Sequence, residues 1–311
     1  MGDSVICVTN QRIRGSRTRA AAKSPRTRQQ TRPDGLRGER RGAAVRSSVV
    51  RMADRVALVR RPSSRMAEGI TTHIDRLPAD ASLAAGQHEA YVDAVAEAGW
   101  TIGEVPTADD LPDCAFVEDT VAVFGDLAVL ARPGVIERRA EIPATEDAVR
   151  SLGLEVARIE DPGTLDGGDI LQVGGTVYVG RGGRTNAEGI RQLRRHAATR
   201  ERVVVPVALH RALHLKSAVT ALPDGTFIAW DVSLFDPAPF PTMRLVPEEA
   251  GSHVVVIGGA TILMAASAPR SAEMFDDLGF DVITVDIGEF EKREGCVTCL
   301  SVFVDDRGLS D

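Results

Sequence analysis

The sequence predicts an α/β fold in which a ββαβ unit recurs around an axis, as a propeller or array rather than a two-domain dinucleotide-binding enzyme. Three observations predict it. Apolar runs come in pairs joined by tight Gly-containing turns. Helical stretches and a further strand follow several of these pairs. The pattern repeats at about 35–50 residues.

In chain order, the apolar run 56–60 reads as a strand, and a helix over 84–98 leads into a strand over 100–105. A hairpin follows over 121–130, turning at Gly125-Asp126, then a helix over 144–152 and a strand over 154–159. The second hairpin, 170–179, turns at Gly174-Gly175 and precedes a helix over 186–198 and a strand over 202–207. A third hairpin spans 218–230 around Asp224-Gly225. A fourth spans 254–263 around Gly258-Gly259, with a helix over 271–278 and a strand over 281–285 after it. Gly-Asp, Gly-Gly and Asp-Gly supply the positive φ that tight hairpin turns require. The last strand, 298–304, would join 56–60 in a closing unit.

Composition is that of an ordinary globular chain, 43% hydrophobic and 26% charged. No stretch approaches the roughly 20 apolar residues of a membrane span. Charge is uneven: residues 1–51 hold a surplus of ten positive charges and the remainder a surplus of seventeen negative, giving the net −7. The basic segment 1–52 lacks apolar periodicity and is expected to be disordered; its Arg-rich, acid-poor character also resembles a transit peptide, and Met52 offers an alternative start. Residues 53–311 form the expected single folded domain, whose acidity argues against a nucleic-acid partner. The four cysteines, Cys7, Cys114, Cys296 and Cys299, follow no secretory signal, so a reducing cytoplasm is expected rather than a disulfide framework.

Two acid clusters stand at strand entrances. Glu118-Asp119 precedes the first hairpin, and strand alternation would send the two side chains to opposite faces. Asp166-Gly167-Gly168-Asp169 precedes the second, with glycines that allow close backbone approach. Buried carboxylates need a cationic partner, and a guanidinium suits them because its planar fork donates parallel hydrogen bonds. His210 and His214 are four residues apart, yet Arg211 stands where a zinc protease has Glu, so no metal site is expected. Cys296-Val297-Thr298-Cys299 cannot complete a four-ligand zinc site alone and runs into a strand rather than a redox helix; a nucleophilic thiolate fits better.

Phe116-Val117-Glu118-Asp119, Leu165 to Asp169, Arg184-Thr185-Asn186, His214-Leu215-Lys216 and Thr298-Cys299-Leu300-Ser301 resemble, in order and spacing, the dimethylarginine dimethylaminohydrolases of the guanidino-group-modifying (pentein) superfamily. The resemblance covers about 56–306. It implies a five-bladed pseudo-symmetric ββαβ propeller and a single catalytic domain over 53–311. It implies that Cys299 is the nucleophile and His214 the general acid/base, and that Asp166 serves both site and substrate. Glu118 and Asp119 would surround the guanidinium, Asp113 would lie near the α-amine, and Arg138 and Arg184 would clamp the α-carboxylate. Ile70 would offer a lid carbonyl, and Arg293 its backbone.

The implied reaction is hydrolysis of mono- and asymmetric dimethylarginine to citrulline and an alkylamine, without cofactor or metal. Arginine deiminase and amidinotransferase activity remain open within the superfamily, and a redox-sensing or RNA-binding protein outside it. The partner expected is a small-molecule methylated arginine, with no nucleic acid and no membrane; a homodimer is left open. Cys296 either pairs with Cys299 on oxidation or fills space, and the second is preferred.

Overall fold

Short apolar strand pairs joined by tight turns leave both faces of each ribbon to be covered. The computed structural model, which describes residues 55–305, covers them by setting five three-stranded sheets side by side. The basic segment 1–52 lies outside the described residues, as does 306–311.

One sheet joins β3 (Val121–Phe124), β4 (Leu127–Leu130) and β5 (Glu155–Arg158). β3 and β4 are antiparallel; β5 returns parallel to β4 after helix α2 (Ile142–Ser151). The same plan recurs in β6 (Ile170–Val173), β7 (Thr176–Arg181), α3 (Ala187–Ala198) and β8 (Val203–Ala208). It recurs again in β12 (Val254–Gly258), β13 (Thr261–Ala265), α4 (Pro269–Asp277) and β14 (Asp281–Val285). The closing blade is assembled from distant chain segments: β15 (Ser301–Val304) lies antiparallel to β1 (Val56–Val59), with Val56 opposite Val304. β2 (Thr101–Glu104) then returns parallel to β1 after α1 (Ala81–Glu97). The expected five-bladed ββαβ propeller is the observed architecture.

Differences from the sequence reading have local causes. Helix α1 starts at Ala81 rather than 84, because the Asp80 carboxylate accepts the amides of Ser82 (2.8 Å) and Leu83 (3.1 Å) and caps the end. The remaining blade, β9 (Val219–Ala221), β10 (Phe227–Ala229) and β11 (Met243–Leu245), has a third strand the sequence reading left unassigned and no α-helix before it. Pro237, Pro239 and Pro241 fall in that connection and disfavour a helix. Phe235 and Phe240 cover the sheet instead, with Phe240 stacked on Tyr178 at 4.9 Å. The 210–214 segment is not helical, so His210, which is exposed, and His214 do not share a helix face.

Apolar clusters lie between neighbouring sheets and under their helices. Tyr91 and Val95 of α1 pack with Trp100, Phe290 and Leu300, while Ile190 and Leu193 of α3 pack with Phe124, Val177 and Val204. Each fully buried side chain of this size contributes about 1.5–3 kcal/mol. Among the described residues no helix is long and apolar enough to cross a membrane.

The first-entered strands of the blades, β3, β6, β9, β12 and β15, line a central cavity of about 850 Å³ along the axis.

Candidate active site

A one-turn 3-10 helix precedes each of these inner strands: Val117–Thr120, Gly167–Asp169, Leu215–Ser217, Glu249–Ser252 and Val297–Leu300. The chemically distinctive residues sit in or beside four of them. Glu118 and Asp119 lie in the first, Asp166 and Asp169 at the second, His214 caps the third, and Cys299 lies in the last. Side chains tie these turns together. Asp119 Oδ1 accepts from Gly168 N at 2.9 Å, Asp169 Oδ1 from Leu215 N at 2.9 Å, and Thr298 Oγ1 donates to Glu118 Oε2 at 3.0 Å.

The glycines of the second turn make this crossing feasible. A Cβ on Gly167 would stand 1.9 Å from the Glu118 carbonyl oxygen, and one on Gly168 would stand 2.6 Å from His214 Nδ1 and 2.7 Å from Asp119 Oδ1.

Eight of the ten site residues expected from sequence line one narrow cavity: Ile70, Asp113, Asp119, Arg138, Arg184, His214, Arg293 and Cys299. Phe116, Leu213 and Glu294 complete the wall. Asp166 is fully buried behind the imidazole, with Oδ2 accepting from His214 Nε2 at 3.1 Å and Oδ1 from Gly134 N at 2.8 Å. Glu118 faces the opposite way. It borders the axial cavity, where Oε1 pairs with Lys216 Nζ at 2.5 Å. Adjacent positions in a 3-10 turn are about 120° apart, so the turn, rather than strand alternation, sends Glu118 and Asp119 to different cavities, both buried.

Charge is concentrated and compensated. Burial opposes the His214 imidazolium, but Asp119, Asp166 and Asp169 outweigh it and raise the group to about 9. Burial likewise works against the Asp119 carboxylate, which His214 and Arg138 nevertheless hold well below the usual range. Arg138 ion-pairs with Asp119 through Nη1 and with Glu141 through Nη2 at 2.7 Å and Nε at 3.0 Å. Burial pushes Asp113 upward and Glu118 up to about 7, although Lys216 pulls Glu118 back. Cys299 and Cys296 hold their sulfurs 3.3 Å apart. The neighbouring sulfur, burial, and the charges of Glu118 and Asp119 push the Cys299 thiol up.

Donor atoms of Asp119, Asp166 and His214 lie within 4.8 Å of one another. A divalent cation there would meet Arg138 on Asp119 and Arg184, whose Nη1 is 3.7 Å from Asp166 Oδ2. With the imidazole also raised toward its charged form, the donor set does not suit a metal.

The cavity measures about 20 Å³, little more than one water, so any larger ligand must displace a wall. The 70–78 segment is largely exposed and is pinned from inside. Asp113 accepts the Ile70 amide at 3.1 Å, and Glu294 accepts the amides of Thr72 at 2.5 Å and Ile74 at 3.1 Å.

The sequence is 56% identical over 252 residues to an N(G),N(G)-dimethylarginine dimethylaminohydrolase of Streptomyces coelicolor, spanning 81% of this chain and 97% of the relative. It is 33% identical over 253 residues to that of Pseudomonas aeruginosa, spanning 79% and 97%. The chain belongs to the dimethylarginine dimethylaminohydrolase family. A solved structure of the Pseudomonas aeruginosa family member, bound to citrulline, superposes with a TM-score of 0.75 at 32% identity, over 80% of this chain and 99% of that one. No protein-family model matches the sequence.

For this dimethylarginine dimethylaminohydrolase family member, the sequence reading missed Phe116, Leu213 and Glu294 as cavity walls and Lys216 and Thr298 as partners of Glu118. Four of the five flank or fall within the motifs already singled out, which is the only signal for them. Glu294 has none except its place beside Arg293.

Proposed function

We propose that the protein hydrolyses N-omega-methylated arginine, mono- or asymmetric dimethylarginine, to L-citrulline and methylamine or dimethylamine through a covalent Cys299 intermediate. The observation that carries this is the meeting of Cys299, His214 and Asp119 at one cavity in a chain 56% identical to a dimethylarginine dimethylaminohydrolase. The citrulline complex of the Pseudomonas aeruginosa relative supports the product.

Asp119 and Asp166 draw the guanidinium in, and its positive charge offsets the forces that keep the Cys299 thiol protonated. The thiol proton leaves to solvent as the cation arrives. The thiolate attacks the central guanidinium carbon. His214, held near 9, is an imidazolium at neutral pH and protonates the departing amine as the C–N bond breaks. A thiouronium remains on Cys299. The now neutral imidazole takes a proton from water, whose hydroxide adds to the same carbon; the C–S bond breaks and the remaining hydroxyl proton passes to solvent, releasing citrulline and the thiolate.

Other groups orient the substrate. Asp113 faces the α-amine, Arg184 and Arg138 face the α-carboxylate, and the carbonyls of Ile70 and Arg293 accept from the amino-acid end. Glu118 acts indirectly, through Thr298 beside the nucleophile. We place the enzyme in a reducing cytoplasm, on the thiols of Cys114, Cys296 and Cys299.

Citrulline release from arginine, monomethylarginine and both dimethylarginines tests the substrate class. Cys299→Ser and His214→Ala should each abolish turnover, with a loss of at least about 10² for the acid/base residue. Turnover near wild type in either variant would overturn the mechanism. Activity removed by EDTA and restored by zinc would overturn the metal-free reading.

A further inference from the structure

We propose that Cys296 is a resolving thiol that converts peroxide-oxidised Cys299 into a reversible disulfide, masking the nucleophile and sparing it from irreversible oxidation. The proposal rests on Cys299 as the nucleophile. Three features of the site support it.

The two sulfurs are 3.3 Å apart. They belong to one 3-10 turn, closed by Cys299 N donating to Cys296 O at 3.1 Å. Residues three apart in such a turn lie on the same side, with a rise of about 2.0 Å per residue. That separates their Cα atoms by about 6 Å, inside the roughly 4.4–6.8 Å range that disulfides span. The bond can therefore close with little backbone movement.

The two thiols differ in access. Both are buried, but Cys299 lines the substrate cavity and Cys296 forms no part of that wall. A small peroxide meets Cys299 first. The Cys299 sulfur attacks the peroxide oxygen as its thiol proton passes to the departing oxygen; the S–O bond forms and the O–O bond breaks, giving Cys299 sulfenic acid and the alcohol or water. The Cys296 thiolate then attacks the sulfenic sulfur; the S–S bond forms, the S–O bond breaks, and the oxygen leaves as water, taking up the proton that Cys296 released.

The third feature is the environment of Cys296. Thr298 Oγ1 lies 3.3 Å from Cys296 Sγ and already donates its proton to Glu118 Oε2. Cys299 Sγ, 3.3 Å away, and Thr298 hold the Cys296 thiol well below its usual range, favouring the thiolate that attacks sulfur. A dithiol reductant returns both thiols.

The test treats the full chain with hydrogen peroxide, with and without dimethylarginine. The fragment containing both cysteines is then weighed, and citrulline formation is measured before and after dithiothreitol. Wild type should lose two hydrogens in that fragment, lose activity, and regain most of it on reduction; dimethylarginine should slow the first two. Cys296→Ala should keep basal turnover within a few-fold, but its fragment should gain two oxygens and its lost activity should not return. A wild-type fragment that gains oxygen without losing hydrogens overturns the proposal, even if the variant fails to fold. So does a Cys296→Ala protein that recovers as fully as wild type. A disulfide that forms while citrulline production continues overturns the nucleophile assignment instead.

Discussion

Lys216 Nζ rests 2.5 Å from Glu118 Oε1 in the wall of the axial cavity, while the other oxygen of the same carboxylate receives the Thr298 hydroxyl at 3.0 Å. Both partners are largely buried, with side chains 16% and 10% exposed. Removing one partner of such a pair leaves an uncompensated charge, which costs about 3–5 kcal/mol in buried sites. Lys216→Met is therefore expected to destabilise by a large part of that range in urea unfolding. Adding Glu118→Gln to it should restore part of the loss. A double variant no more stable than Lys216→Met would show the pair is not coupled.

Gly168 sits against the imidazole. Its replacement by Ala would bring a methyl to 2.6 Å from His214 Nδ1, a movable side-chain atom. Gly168→Ala is expected to fold, at a cost of about 1–3 kcal/mol for overpacking. Turnover should fall far more, by about 10²-fold, since misplacing a reacting group by about 1 Å costs that much. Gly167→Ala meets the Glu118 backbone oxygen at 1.9 Å and should fail to accumulate as folded protein. Thermal unfolding and citrulline assays on the two variants separate the cases.

The imidazole of His214, raised to about 9, makes stability pH-dependent. A group whose folded value lies above its unfolded value of about 6.5 contributes stability fully present below 6.5 and lost as pH rises through about 9. Glu118 and Asp169, held up near 7 mainly by burial, act with the same sign over a lower window, from their ordinary range to about 7. Melting temperature should therefore fall between pH 7 and 9.5. Asp119→Asn, which removes the largest of the charges raising His214, should move the upper part of that fall to lower pH. An unshifted profile in this variant would contradict the assignment.

Glu294 is the inner anchor of the 70–78 segment. Its carboxylate accepts the Thr72 and Ile74 amides and the Thr72 hydroxyl. Glu294→Ala is expected to speed proteolytic nicking within 70–78 several-fold and to raise KM for dimethylarginine, with a global unfolding free energy within about 1 kcal/mol of wild type, as for surface contacts. Equal nicking rates in the two proteins would mean the anchor does not hold the segment.

The repeating strand pairs and their turn glycines determined the propeller, because a two-residue alternation and a required positive φ are local properties of the chain. The motifs around Glu118, Asp166, His214 and Cys299 marked where chemistry belongs. The tertiary structure alone decided that Glu118 meets Lys216 at the axial cavity while its neighbour Asp119 faces the other cavity. It alone placed Glu294 under the 70–78 segment and β11 in its blade without an α-helix. These depend on distant segments meeting in space, as the four 3-10 turns that carry the site do, over separations such as the 180 residues between Glu118 and Thr298. No periodicity in a linear sequence encodes such a crossing, because the energy of each contact exists only once both segments are in place.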